Sequence, residues 1–269
     1  MTDTTFQTLL STPYSPRLRA LVLDSQAYAQ AVLRQGREVP WSSPQEVANH
    51  YGQAQSLLHS DAVVLDLRSP MQAYLDEHPA IVDAMGARSR IGYALRTMLS
   101  NEDLAERLLE LVSVIGQTVG TPVLVQLPSP RVWLAWAHEL AGVGDIAEIT
   151  PEDIDDYTPY IANWIQGLPA EAVSGVILDE RWPQTNGPAK VDPGVYTPIA
   201  NVAGHQRWAL LIRDAEQLHY LDGEHADVVP ASLWHEDAVD LPAVGGAFWF
   251  AEIPASAVPE TVLARLTLF

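Results

Sequence analysis

Short aliphatic runs that each end on a polar residue recur along this chain, and they constrain its fold more than any other feature. Such runs are Ala62-Val63-Val64-Leu65-Asp66, Val123-Leu124-Val125-Gln126, residues 173–179 ending on Asp179, and 208–212 and 247–251, which run into Arg213 and Glu252. Their near-continuous hydrophobicity suits strands buried on both faces, as in a parallel sheet, better than the strict alternation of a one-sided antiparallel sheet. Parallel neighbours need a crossover of a dozen or more residues, usually a helix.

Helix starts lie between the runs. Ser43-Pro44-Gln45-Glu46 offers a capping hydroxyl, a proline suited to the first helical position and a Glu three residues after the cap, ahead of Val47, Tyr51, Ala54 and Leu58 at helical spacing. Thr150-Pro151-Glu152-Asp153 repeats the device before Ile154, Tyr157, Ile161 and Trp164, with Gly167 as a stop. Ser100 with Asp103 is expected to cap a third helix carrying Leu104, Leu108, Leu111 and Ile115 up to Gly120. The polar stretch 184–193, with Gly187, Pro188 and Pro193, reads as a loop because strand signals continue on both sides. One α/β domain over 1–269 is expected, a length that permits a barrel.

Acidic residues outnumber Lys and Arg by 34 to 15, for a net charge of -19, and Lys190 is the only lysine. Without a basic run, nucleic acid and anionic membranes are not expected partners, since both need clustered cations. Residues 1–7 lack a basic segment followed by an apolar one, and no apolar run approaches the roughly eighteen residues that span a bilayer. A cytoplasmic protein acting on a small molecule is expected, and nothing in the sequence fixes its oligomeric state. There is no Cys, so neither a thiolate nucleophile nor a cysteine metal ligand is available.

Four segments resemble the catalytic half of cobalamin-independent methionine synthase and, more distantly, uroporphyrinogen decarboxylase. Residues 8–19 (TLLSTPYSPRLR) resemble the family's first strand and its Gly-Ser-Phe-Pro-type turn, with the glycine replaced. Residues 122–130, then Trp133 and Trp136, resemble a mid-barrel strand, turn and helix. Gly175-Val176-Ile177-Leu178-Asp179-Glu180-Arg181 resembles an apolar strand ending in Asp-Glu, and residues 248–259 resemble the last strand and its Val-Pro turn. The resemblance implies a single (β/α)8 barrel (TIM barrel) and maps Asp179 onto a strand-terminal Asp that holds a substrate amino group. It also implies a zinc site built from His, Glu and two Cys, which a Cys-free chain cannot build. The uroporphyrinogen decarboxylase branch implies that such a barrel can decarboxylate without a cofactor.

In a barrel the site lies where the strands end. That rule selects Asp66 and Arg68, Gln126, Asp179 with Glu180 and Arg181, Arg213 with Asp214, and Glu252. Asp179 is expected to bind an amine or relay a proton, or else to pair with Arg181; Glu180, adjacent on an extended strand, points the other way. Arg68 and Arg213 suit a carboxylate, which a guanidinium grips with two parallel bonds, although Asp66 and Asp214 offer each a structural partner. His205 could titrate as an acid or base near neutrality, but it precedes a strand rather than following one. Trp182 could wall a pocket, whereas Trp133 and Trp136, three apart on a helix, and His138 read as packing. His219, Glu224, His225, His235 and Glu236 fit no standard zinc spacing, so neither metal nor cofactor is expected. The expected activity is a metal-independent lyase, decarboxylase or hydro-lyase, on a small carboxylate-bearing molecule, with Arg68 or Arg213 holding the anion and Asp179 and His205 as catalytic groups. The alternatives are a methyl or alkyl transferase and a non-catalytic barrel that binds a partner.

Overall fold

The computed structural model describes residues 6–13, 15–183, 187–221, 223–235, 241 and 243–269. Among them lie eight strands: β1 (Leu21–Asp24), β2 (Ala62–Asp66), β3 (Val123–Pro128), β4 (Gly175–Asp179), β5 (Ala209–Arg213), β6 (Leu218–Tyr220), β7 (Asp227–Val229) and β8 (Trp249–Glu252). The helices in chain order are α1 (Phe6–Ser11), α2 (Gln26–Leu33), α3 (Pro44–Leu58), α4 (Arg68–Glu77), α5 (Pro79–Met85), α6 (Tyr93–Leu99), α7 (Glu102–Val119), α8 (Pro130–Leu140), α9 (Pro151–Gln166), α10 (Thr197–Gln206) and α11 (Pro259–Leu266). None is long and apolar enough to cross a membrane.

The strands form one sheet in the order β6-β5-β4-β3-β2-β1-β8-β7, nearly closed into an α/β barrel with helices between most strands. From β7 through β8 and β1 to β5 every pairing is parallel, as near-continuous apolar runs require. The departure from a regular (β/α)8 repeat comes after β5. Only residues 214–217 separate it from β6, too few for a crossover, so β6 turns back antiparallel. The seam between β6 and β7 is bridged at His219 and His225, where the Ala226 N–H donates to the Leu218 carbonyl at 2.8 Å.

The first strand lies elsewhere than the resemblance implies. Residues 6–11 are helical, and β1 begins at Leu21. Helix α1 brings Phe6 and Leu9 into the barrel's interior core with Val22, Val64, Leu124, Ile177, Leu211 and Phe250. Phe6 meets Phe248 edge-on at 5.3 Å between centroids. Below β1, the fully buried Asp61 carboxylate accepts the backbone N–H groups of Ser15 (2.8 Å) and Leu21 (2.9 Å) and the Ser15 hydroxyl, which ties the approach segment to β2.

Helix boundaries follow local chemistry. The Thr150 hydroxyl accepts the Asp153 N–H while the Asp153 carboxylate accepts the Thr150 N–H at 2.9 Å, a reciprocal cap for α9. For α7 the cap is Asn101, one residue later than expected, accepting from Leu104 N–H at 2.8 Å. Ser43 stands before α3 without a side-chain capping bond. Trp133 and Trp136 are buried in the core, and the buried His138, whose ring nitrogens find no partner among the described residues, is held neutral by burial.

Candidate functional site

Two residues beyond each interior apolar side chain, the same strand face carries a polar one. Val22, Val64, Leu124, Ile177, Leu211 and Phe250 of the interior core are followed by Asp24, Asp66, Gln126, Asp179, Arg213 and Glu252. Strand pairing sets Asp24 level with Glu252, Asp66 with Gln126, and Asp179 with Arg213. The barrel thus changes from apolar to polar within one layer, at the C-terminal strand ends.

Arg213 organises that layer. Its guanidinium is almost fully buried and donates to Asp24 Oδ2 at 2.7 Å, to Gln126 Oε1 at 2.8 Å and to Glu252, and it lies 4.8 Å from the Phe250 ring centroid. A charge this buried is stable only when partners replace its water, and three acceptors do so. Arg181 is likewise committed, gripping both oxygens of Asp179 through Nε and donating from Nη1 to Glu252 at 2.9 Å. Neither guanidinium is free to clamp a substrate carboxylate, and the Asp179 carboxylate is spent on Arg181. Arg213 pairs with Asp24 and Glu252 rather than with its neighbour Asp214, which caps the turn at Glu216 and Gln217.

Asp66 differs from the other carboxylates. Its hydrogen-bond partners among the described residues are the Arg68 backbone N–H at 3.1 Å and the Ser69 hydroxyl at 3.3 Å, and it forms no ion pair among them. Burial first, and then the charges of Asp24 and Asp179, raise its pKa to about 6 despite the Arg68 N–H. Behind it runs a chain of side chains: Tyr51 donates to Gln26 Oε1 at 2.8 Å, Gln26 Nε2 donates to Ser69 at 2.8 Å, and Ser69 donates to Asp66. Tyr51 is held in its phenol form by burial and by Asp66 and Asp24.

The Arg68 guanidinium makes no ion pair among the described residues, and its carbon sits 5.2 Å from the Trp136 ring centroid, a stacked position that fixes its direction. Asp66, Arg68 and Ser69 line one cleft of about 530 Å³ walled by Trp41, whose rim carries the exposed acids Asp76 and Glu77.

Two further clefts open around the mouth, with Arg181 lining both. One, of about 410 Å³, is bounded by Arg213, Phe250 and Glu252. The other, of about 750 Å³, is lined by Trp182, Arg131, Glu180 and Lys190. There the Glu180 carboxylate faces away from Asp179 and is held between Arg131 and the Tyr196 hydroxyl.

His205 lies apart from all of these. It is exposed in the last turn of α10, below the start of β5 and so at the opposite end of that strand from Arg213. It therefore cannot act with the strand-end groups. His219 and His225 face each other across the β6 seam, while Glu236 lies outside the described residues. Among the described residues no three His, Asp or Glu side chains are placed to share one metal ion.

No protein-family model, curated protein or solved structure matches the chain.

Asp24, Gln26, Tyr51, Ser69 and Arg131 belong to the site region without having been selected from the sequence. Asp24 had a signal, since Leu21-Val22-Leu23-Asp24 is itself an aliphatic run ending on a carboxylate. Gln26, Ser69 and Arg131 lie in the first turns of the helices that follow β1, β2 and β3, so their nearness to a strand end was also legible, whereas Tyr51, in the middle of α3, reaches the region only through packing.

Proposed function

We propose that the chain is an acid–base enzyme of lyase type, decarboxylase or hydro-lyase, working in the Asp66–Arg68 cleft on a small carboxylate that also carries an amine. The observation that carries this reading is one strand end presenting, two residues apart, a carboxyl with a pKa of about 6 and a guanidinium with no ion-pair partner among the described residues. A group titrating there is present in both forms near neutral pH, so it can take a proton in one step and return it in another. Arg68 would grip the substrate carboxylate through two N–H groups. In a dehydration Asp66 would take the proton from the carbon next to the carboxylate and return it to the hydroxyl on the following carbon, which leaves as water as the C–O bond breaks and the C=C bond forms. In a decarboxylation the C–C bond to the carboxylate breaks, carbon dioxide leaves and protonated Asp66 gives its proton to the carbon left behind. Tyr51, Gln26 and Ser69 would hold the carboxyl in place.

The acids on the cleft rim repel a simple anion and attract an ammonium group, which is why an amine-bearing carboxylate fits better than a plain one. The resemblance to the methionine synthase and uroporphyrinogen decarboxylase barrels agrees with this reading at the level of fold, a weak warrant for chemistry. Of the two arginines expected to hold the anion, Arg68 keeps the role and Arg213 does not, and Asp66 takes the proton-transfer role expected of Asp179.

The test is a thermal-shift screen of small carboxylates with and without an amino group, followed by turnover assays on whatever binds. Arg68→Gln is expected to abolish the shift, and Asp66→Asn to keep binding while reducing turnover about 100-fold or more. Equal binding by wild type and Arg68→Gln, or undiminished turnover by Asp66→Asn, would refute the proposal. The locking of Arg213 and Asp179 into ion pairs favours a second reading, a barrel that binds but does not react. Ligand bound in this cleft with no conversion by the wild type would support it.

A further inference from the structure

A fourth cleft lies in the outer helical layer, away from the strand ends. It measures about 530 Å³ and no strand residue lines it. Its walls come from the segment before α6, from α6 itself and from α9. Arg88, Arg90 and Arg96 all face it, and no Asp or Glu is among its lining residues.

That composition runs against the rest of the molecule. The chain has 34 acidic residues and 15 basic ones. Elsewhere Arg17, Arg19, Arg107, Arg131, Arg181 and Arg213 each pair with a carboxylate. Among the described residues Arg88, Arg90 and Arg96 have no ion pair. Instead Arg88 lies 5.2 Å from the Tyr93 ring centroid and Arg96 lies 4.9 Å from that of Tyr160. Stacking on a ring holds a guanidinium's plane without using its N–H groups, which stay available to a ligand.

The strap bearing Arg88 and Arg90 is itself fixed. Tyr157 of α9 donates to the Ile91 carbonyl at 2.8 Å, and its ring lies where a Cβ on Gly92 would come within 1.9 Å. Gly92 has φ +79°, so glycine is required there both for backbone conformation and for space.

We infer that this cleft binds a soluble phosphorylated molecule bearing a planar ring, of the nucleoside diphosphate or triphosphate type. Planar guanidiniums match phosphate oxygens in pairs, and three of them suit a chain of phosphates better than one carboxylate. Trp164 lines the cleft with aromatic surface for the ring, and the Asn163 amide can donate to a phosphate oxygen. The Thr97 and Ser100 hydroxyls, whose protons go to the Tyr93 and Thr97 carbonyls, can accept from a ribose or base donor, and the volume lies in the range of small-molecule pockets. The inference does not depend on the chemistry proposed at Asp66.

Isothermal titration with adenosine triphosphate, and separately with inorganic pyrophosphate, tests it on the full chain. Both probes are expected to bind, the nucleotide more tightly because its ring stacks. Replacing any one of the three with Gln should weaken binding about tenfold or more, the worth of a charge-assisted hydrogen bond, and the triple variant should lose it. These side chains are exposed, so the variants should keep the wild-type circular dichroism spectrum, and Asp66→Asn should bind the probes as the wild type does. Absence of binding at millimolar probe, or a folded triple variant that binds as the wild type does, would overturn the inference. Co-sedimentation with phosphatidylcholine vesicles containing a phosphatidylinositol phosphate, without binding of either soluble probe, would overturn it in favour of a lipid headgroup.

Discussion

Asp66 carries a stability cost that its neighbours do not relieve. Its folded pKa of about 6 lies above the ordinary value of an Asp in the unfolded chain, so the folded state holds the proton more tightly. Stability from this group is therefore full below the unfolded pKa and declines as pH rises toward 6, after which the deficit is constant. A shift of that size corresponds to a cost of order 2 kcal/mol once solvent screening at a half-buried site is allowed for. Asp66→Asn should accordingly be more stable than wild type above pH 6, with the gain vanishing near pH 4. Chemical denaturation at the two pH values checks this, and an equal difference at both would show that Asp66 is not strained by its charge. The position of Asp66 is legible in the sequence as the end of an aliphatic run. Its altered acidity is not, because Asp24 and Asp179, which contribute to it, come from two other strands.

At the scale of elements, the clearest divergence from the sequence is α1. Its six residues carry no acid in the first turn, so the composition of the segment gives little sign of a helix. Its role is set by shape: Phe6 and Leu9 enter the barrel interior against aromatic neighbours from the strands. Leu9→Ala should cost about 2–5 kcal/mol, as for a fully buried leucine whose surroundings cannot collapse. A loss below 1 kcal/mol in equilibrium unfolding would show that α1 is not part of the barrel core. By contrast α9 was legible to the residue, since Thr150, Pro151 and Asp153 supply a reciprocal cap from adjacent positions. Caps are local and can be read from a few letters, whereas a helix held by the interior of a barrel cannot.

For the whole molecule, the net charge of -19 sets a field that opposes compaction. The ion pairs around Arg213 and Arg181 are partly or wholly buried, so salt screens them less than it screens the surface. Raising ionic strength from about 10 mM to about 500 mM shortens the screening length from about 30 Å to about 4 Å, which relieves surface repulsion first. The melting temperature should therefore rise with sodium chloride over that range. A fall would mean that exposed attractive pairs outweigh the repulsion.

The sequence by itself determined the parallel character of most of the sheet, the starts of α3 and α9 and, to within one residue, of α7, and the strand-end polar residues other than Asp24. Each of these rests on periodicity or on capping between residues close in the chain, which a linear pattern records. The tertiary structure decided the antiparallel turn at β6, the plugging of the barrel by α1, and which strand-end groups are free. Asp179 pairs with Arg181 only two residues on, a partner the sequence itself offered, whereas Arg213 is spent through contacts between residues as many as 189 positions apart. The same holds for Arg96, which meets Tyr160, and for the cleft that Arg88, Arg90 and Arg96 share with Trp164, because α6 packs on α9. Hydrogen bonds and charges act across space, and the register that brings them together is fixed by closure of the sheet and packing of its helices.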